Sequence, residues 1–267
     1  MFGMREQPDN TPGKTARTAD DSTSIDLTSI TSVLFDKDGT LIDFNRSWLE
    51  RYREAAQVLV QHTESDAGVD DLLAAGGYVA EHDNWRADSV LASGSNLQIL
   101  EFWEAQLRTP LTDEIKSRYN AILSAPPASH AVVLDDLPGY CLTLTQRGYQ
   151  LGVATMDDEA DARMMLQQTD CLDVMSFVCG ADSGFGLKPD PGMVEAFARH
   201  LELPVSSVMM VGDSPRDLKM GRAAGAGATV GVLTGASARI DLEPWADLIC
   251  NDIGQLLALL PGQAATG

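Results

Sequence analysis

The stretch that most limits what this chain can fold into is Thr31 to Asp43, TSVLFDKDGTLID, where an apolar run ends abruptly in two aspartates one residue apart and a Gly-Thr turn. A short apolar run rich in β-branched residues and closed by a turn signal predicts a buried central strand, Ser32 to Phe35, of a parallel sheet. Asp36 and Asp38 then stand at its carboxyl end, where open α/β sheets bind ligands. Side chains two apart in an extended segment point the same way, so the two carboxylates share one small space. Like charges that close push one pKa up, leaving one carboxylate ionised and the other able to carry a proton. One can attack while the other shuttles a proton. A solvated turn would also use Asp and Gly. A calcium loop does not fit, because Thr40 and Leu41 stand where an EF-hand needs a third oxygen ligand and then Gly, and a strand rather than a helix precedes.

Taken in order, residues 1 to about 28 are rich in Thr, Ser, Asp and Pro without apolar periodicity, the composition of a disordered tail. From about 46 to 124 the pattern is helical throughout, broken at Gly76-Gly77 and Gly94. Trp48, Tyr52, Ala55 and Leu59 mark one helix, Leu97, Leu100, Trp103 and Leu107 another, and Ile115, Tyr119 and Ile122 a third. An aromatic stripe at this spacing is core, with a minority of its residues free to face a pocket. From Leu137 the rhythm changes to short apolar runs alternating with helices: Gln150 to Thr155, Ser176 to Cys179, Ser207 to Val211, Ala228 to Leu233 and Asp247 to Cys250. That is the signature of a doubly wound parallel sheet. Asp190-Pro191 is expected to cap one helix, and Ser214-Pro215 to begin another that Gly225 ends. Gly225 and Gly227 follow a helix instead of opening one, so a dinucleotide fingerprint is rejected. The expected organisation is an α/β core, 29–45 and 125–262, with a helical cap, 46–124, inserted into it.

A net charge of −20 repels nucleic acid and anionic membrane alike, so neither is expected as a partner. No apolar run approaches the length of a membrane span, and the N-terminus shows no signal-peptide apolar segment. Cys141, Cys171, Cys179 and Cys250 have no metal-ligand spacing and read as reduced core thiols, in keeping with a cytoplasmic protein. His62, His82, His130 and His200 are scattered and read as structural.

The expected strand ends deliver further chemistry. Thr155 closes one strand, Gly186-Leu187-Lys188-Pro189-Asp190-Pro191 follows the next, and Gly212-Asp213-Ser214-Pro215-Arg216-Asp217 follows another. In a parallel sheet these ends share one edge, so a hydroxyl, an ammonium and two more carboxylates can converge on Asp36 and Asp38. Asp213 and Asp217, four apart, present hard oxygen ligands of the kind that suit Mg²⁺. Taken singly, each is also an ordinary helix-capping or first-turn acid.

Together, FDKDGTL, GVATMD, GLKPDP and VGDSPRDL closely resemble, in this order, the four motifs of the haloacid dehalogenase superfamily, phosphatase branch, and within it the phosphoglycolate phosphatase group. The helical insertion resembles that superfamily's four-helix cap. The resemblance implies Asp36 as nucleophile and Asp38 as general acid and base. It implies Thr155 and Lys188 as holders of the phosphoryl oxygens, with backbone contact at Met156. Mg²⁺ would be bound by Asp36, the backbone carbonyl of Asp38, and Asp213, with Asp217 as a ligand or a support to one. Met156-Asp157 after Thr155 and Pro215-Arg216 in the fourth motif depart from the common pattern. The implied protein is an Mg²⁺-dependent phosphatase acting on a small phosphorylated metabolite, as monomer or homodimer. A phosphomutase of the beta-phosphoglucomutase kind and a non-catalytic phosphate-binding module are the rival readings. Arg46, Arg51 and Arg86 are the cap side chains considered for substrate selection.

Overall fold

The computed structural model describes residues 17–18, 27–63, 66–124 and 132–262. Arg17–Thr18 (β1) makes a two-residue parallel pairing at one sheet edge, so this short piece of the expected tail is paired rather than free. Of the other expected tail residues, 1–16 and 19–26 lie outside the described residues, as do residues 125–131, whereas Leu27 is buried in the core. Ser32–Phe35 forms β2, with all four residues buried.

The helical segment follows, with α1 (Phe44–Gln61), α2 (Val69–Gly76), a hairpin of β3 (Tyr78–Val79) and β4 (Asn84–Trp85), α3 (Val90–Ser93), α4 (Asn96–Leu107) and α5 (Asp113–Leu123). Local chemistry sets the helix starts. Asp43 accepts from the Arg46 amide, Ser95 and Gln98 make a reciprocal capping box, and Thr112 accepts from the Ile115 amide. Two expectations need correction here. The segment is not helical throughout: Gly77, at φ +120°, ends α2 in the left-handed region, and Tyr78 and Trp85 then pair across the hairpin with ring centroids 5.0 Å apart. Leu97 is 63% exposed, because at the helical period it lies about 120° around α4 from Trp103, whereas Ile99, Leu100 and Leu107 share the buried face. Trp48, Tyr52, Trp85, Trp103 and Tyr119 anchor the segment's own apolar cluster, and the Trp103 indole donates to the Leu72 carbonyl.

The remainder alternates α6 (Leu137–Gln146), β5 (Gln150–Ala154), α7 (Glu159–Gln168), β6 (Met175–Cys179), α8 (Gly192–His200), β7 (Val208–Gly212), α9 (Pro215–Ala224), β8 (Ala228–Val232), α10 (Arg239–Leu242), β9 (Leu248–Cys250) and α11 (Ile253–Leu259). The sheet order is β1-β9-β8-β7-β2-β5-β6, every pairing parallel. This is the expected doubly wound α/β sheet, and β2 lies inside it between β7 and β5. Alternation sends Val33, Phe35, Val153 and Val211 to one covered face, and Leu34, Ala154 and Met210 to the other, against Phe197 of α8. Ser214 caps α9 and Gly225 ends it at φ +80°, as expected. Asp190 caps nothing: Pro191 occupies the cap position of α8 without a side-chain bond, and the Asp190 amide closes a turn onto the Leu187 carbonyl. All four cysteines are buried and free. No helix among the described residues is long and apolar enough to cross a membrane.

Candidate active site

Register places the functional groups. Phe35 of β2 is level with Val153 of β5 and Val211 of β7, so the next residue or two on each strand end at the same height. Asp36 donates its amide to the Val211 carbonyl at 2.8 Å and continues the ladder by one residue. Thr155 and Asp213 stand one step further along the neighbouring strands, and Lys188 reaches in from the loop before α8. One small cavity is lined by Asp36, Asp38, Thr155, Met156, Lys188, Asp213 and Asp217 from the sheet edge, and by Phe44, Trp48, Tyr52 and the Leu91–Gly94 segment from the helical side. The residues expected to hold the phosphoryl group and a metal ion therefore all line one cavity.

The turn after Asp38 requires glycine. Gly39 adopts φ +83°, and a Cβ there would lie 2.7 Å from the Asp213 carboxyl carbon. The Thr234 hydroxyl donates to the Gly39 carbonyl at 2.5 Å, and the Ala236 amide donates to Asp213 Oδ2 at 3.0 Å. The loop after β8 thus fixes both the first-motif turn and Asp213.

Lys188 is buried between two carboxylates, with Nζ 2.5 Å from Asp36 Oδ1 and 2.7 Å from Asp217 Oδ1. Burial alone would lower its pKa, but Asp217 and Asp36 outweigh that and raise it, so the ammonium stays charged. Asp217 also holds the start of α9, its Oδ2 accepting from the Ser214 hydroxyl at 2.7 Å and the Ser214 amide at 3.1 Å. Helix capping and site chemistry are not alternatives for this residue; each uses a different oxygen.

Burial pushes Asp36 up to about 7 against the opposing pull of Lys188, with Asp217 and Asp38 adding to the rise. Asp213 is raised well above the usual carboxylate range, by burial first and then by Asp36 and Asp217. Asp36 Oδ2 is buried with no hydrogen-bond partner among the described residues. Oxygens of Asp36, Asp213 and Asp217 all lie within 4.8 Å of one another. A buried carboxylate set short of positive charge, with an orphaned Asp36 oxygen, fits a hard divalent cation.

Several participants were not singled out in the sequence. Lys37 Nζ lies 2.5 Å from Asp38 Oδ2 and 2.8 Å from Asp157 Oδ2. Around the site, five carboxylates therefore face two buried ammonium groups, not one. Asp157 is raised to about 6 by burial, against the pull of Lys37. Its amide donates to Thr155 Oγ1 at 3.1 Å. Trp48 of α1 donates its indole N–H to Asp38 Oδ1 at 2.6 Å. Arg216 lines the cavity and donates to the Ser93 carbonyl at 2.9 Å. A lysine between two acids in the first motif was the available signal for Lys37; the departure at Pro215-Arg216 was the signal for Arg216. Of the arginines considered for selection, none lines the cavity. Arg86 donates to the Ala74 carbonyl at the end of α2, Arg51 sits over the Trp48 ring and donates to the Leu123 carbonyl, and Arg46 is exposed on α1.

Residues 30–225, more than half of the chain, match the model of the family described as haloacid dehalogenase-like hydrolase. A phosphoglycolate phosphatase of Rhodospirillum rubrum is 33% identical over 109 residues, which is 41% of this chain and 45% of that protein. A phosphoglycolate phosphatase of Vibrio cholerae is 24% identical over 237 residues, 88% of this chain and 98% of that protein. Among solved structures, a predicted phosphoglycolate phosphatase from Haemophilus somnus 129pt superposes with a TM-score of 0.66 at 20% identity, covering 88% of this chain and 99% of that one. A candidate beta-phosphoglucomutase from Thermotoga maritima gives a TM-score of 0.61 at 18% identity, covering 86% and 98%. At these identities the two structures speak to the fold alone.

Proposed function

The chain belongs to the haloacid dehalogenase-like hydrolase family, and we propose that within it this protein is an Mg²⁺-dependent phosphatase of a small phosphomonoester, working through a phosphorylated Asp36. The observation that carries the reading is the state of Asp36. One of its oxygens is held by Lys188, the other is buried and unpartnered, and both stand in a pocket of converging carboxylates. The names of the relatives favour a phosphoglycolate-like substrate.

In this mechanism Lys188 and the Thr155 hydroxyl hold phosphoryl oxygens, and the Met156 amide adds a neutral donor, the Asp157 amide being taken by Thr155 Oγ1. Asp36 attacks the phosphorus in line. Asp38 gives a proton to the departing alcohol oxygen and later takes one from the water that hydrolyses the phospho-aspartate. Asp36, the Asp38 carbonyl and Asp213 would hold Mg²⁺, with Asp217 beside them, and the bound ion would supply charge neutralisation for the incoming dianion. Most of the rate advantage then comes from positioning and charge stabilisation. The cavity is small, about 40 Å³, and is walled on the side away from the sheet by Phe44, Trp48, Tyr52 and the Leu91–Gly94 segment.

The deciding experiment is a panel of small phosphomonoesters assayed for phosphate release with Mg²⁺, repeated with sugar phosphates while following isomerisation. Phosphate released from short carboxylated or sugar esters supports the reading. Isomerisation with no net phosphate release would move the protein to the mutases, and no turnover of any ester would leave it a binding module.

A further inference from the structure

Lys37 has no part in the mechanism above, yet it is buried to 5% exposure between two acids of the site. Its Nζ takes Asp38 Oδ2 at 2.5 Å and Asp157 Oδ2 at 2.8 Å, and lies 5.4 Å from the centre of the Trp48 ring. Asp157 is itself pinned by the backbone: its amide donates to Thr155 Oγ1, and its carbonyl accepts from the Ala181 amide at 2.8 Å. The second Asp38 oxygen accepts the indole N–H of Trp48, which arrives on α1 from the helical segment. Arg51 lies 5.2 Å from the same ring. Asp38 is thus held on one oxygen from within the sheet domain and on the other from the helical segment.

We propose that Lys37, anchored by Asp157, is a positioning residue that fixes Asp38 by one oxygen so that the other, taken here by Trp48, is the one presented to the substrate. The inference rests on the reading of Asp38 as general acid and base. In the first step a bond forms between an Asp36 oxygen and phosphorus, the bond from phosphorus to the leaving oxygen breaks, and the Asp38 proton moves to that oxygen. In the second, water attacks phosphorus, its proton passes to Asp38, and the bond from Asp36 to phosphorus breaks. An Asp38 free to turn would serve neither transfer, since a proton donor or acceptor must lie within hydrogen-bond reach. A nitrophenolate, however, leaves without a proton, so its first step does not need Asp38 whereas its second does.

That asymmetry gives the test. Lys37→Met strands two buried carboxylates and can unfold the site, so it is paired with the charge-balanced double variant Lys37→Met, Asp157→Asn. Both are assayed by rapid quench with Mg²⁺ on 4-nitrophenyl phosphate and on an alkyl phosphate. For the double variant, the expected result is a burst of about one equivalent of 4-nitrophenolate, then turnover slowed at least about 30-fold, less than the roughly 10²–10⁴-fold that general acid–base catalysis contributes because Asp38 itself is kept. kcat and KM for the nitrophenyl ester fall together, so kcat/KM stays within about threefold of the parent, while kcat/KM for the alkyl ester falls at least about 30-fold. A folded double variant in which both kcat/KM values fall in the same proportion, or neither falls, overturns the proposal. Asp36→Asn, run alongside, separates the two failures: turnover persisting in that variant overturns the phospho-aspartate reading itself, whatever Lys37 does.

Discussion

The sheet domain and the helical segment are packed from different side chains, and the difference maps onto what each contributes. Around β2 the buried residues are mainly aliphatic, Val33, Leu34, Val153, Met210 and Val211, fixed in register by parallel ladders on both sides. The helical segment is centred on rings, with Tyr52 stacked on Trp48 at 5.4 Å and packed edge-on to Trp103 at 6.2 Å, and Trp103 edge-on to Tyr119 at 6.1 Å. A ladder holds backbone, and so holds strand-end carboxylates to within a residue's position. A ring cluster holds a shape, with edges left over to face a cavity. Chemistry therefore sits on the sheet, while the helical segment supplies one wall and polar links such as Trp48 to Asp38 and Arg216 to Ser93.

If that division holds, the largest loss comes from the sheet side. Asp36→Asn is expected to lower turnover by at least about 10³-fold, since removing the covalent route costs several kcal/mol of barrier, with the fold intact by circular dichroism. Activity above about one per cent, a barrier rise of under about 3 kcal/mol, would point to another nucleophile.

Metal removal tests the same side. Excess chelator is expected to stop turnover and Ca²⁺ to fail to restore it, because Ca²⁺ takes more oxygens in looser geometry. Stability gives a second readout. Asp36, at about 7, and Asp213 have folded-state pKa values raised above their unfolded ones, so the metal-free protein keeps protons that the unfolded chain has lost. Their favourable contribution is present at low pH and is lost as pH rises through about 7. A cation that replaces those protons should therefore raise Tm more at pH 8 than at pH 6; an equal or smaller rise at pH 8 would count against the carboxylate site.

On the helical side, Trp103→Ala removes a fully buried ring and the donor to the Leu72 carbonyl. The expected cost is about 3–5 kcal/mol, read by denaturant unfolding, with Mg²⁺ dependence of the residual activity unchanged. If the metal requirement changed as well, the two regions would not be separable in the way argued.

The smallest effect is expected at a link between them. Arg216→Ala breaks the bond to Ser93 and removes a cationic group from the cavity wall, and should raise KM by about 3–10-fold with little change in kcat, the net size of an ordinary hydrogen bond. The same change in kcat as in KM would place Arg216 among the groups that act on the transition state.

How much of this was legible in the chain follows from range. The strand Ser32–Phe35, the acids that close it, the start of α9 at Ser214-Pro215 and its end at Gly225 are written in a few consecutive residues, because burial period, capping and left-handed glycine are local physics. Those local signals in sequence order were enough to expect a parallel sheet with carboxylates, a hydroxyl and a lysine at one edge. The hairpin inside the helical segment was not legible, since two-residue strands carry no period and depend on a ring contact between Tyr78 and Trp85. Neither were the partners of Lys37. Asp157 is 120 positions away, brought in by the crossover from β2 to β5, and Trp48 arrives only when α1 folds back over the strand end. Sequence spacing decides which groups a strand end offers; which charges neutralise one another there is decided by desolvation and by contacts between distant segments, and those exist only in the folded chain.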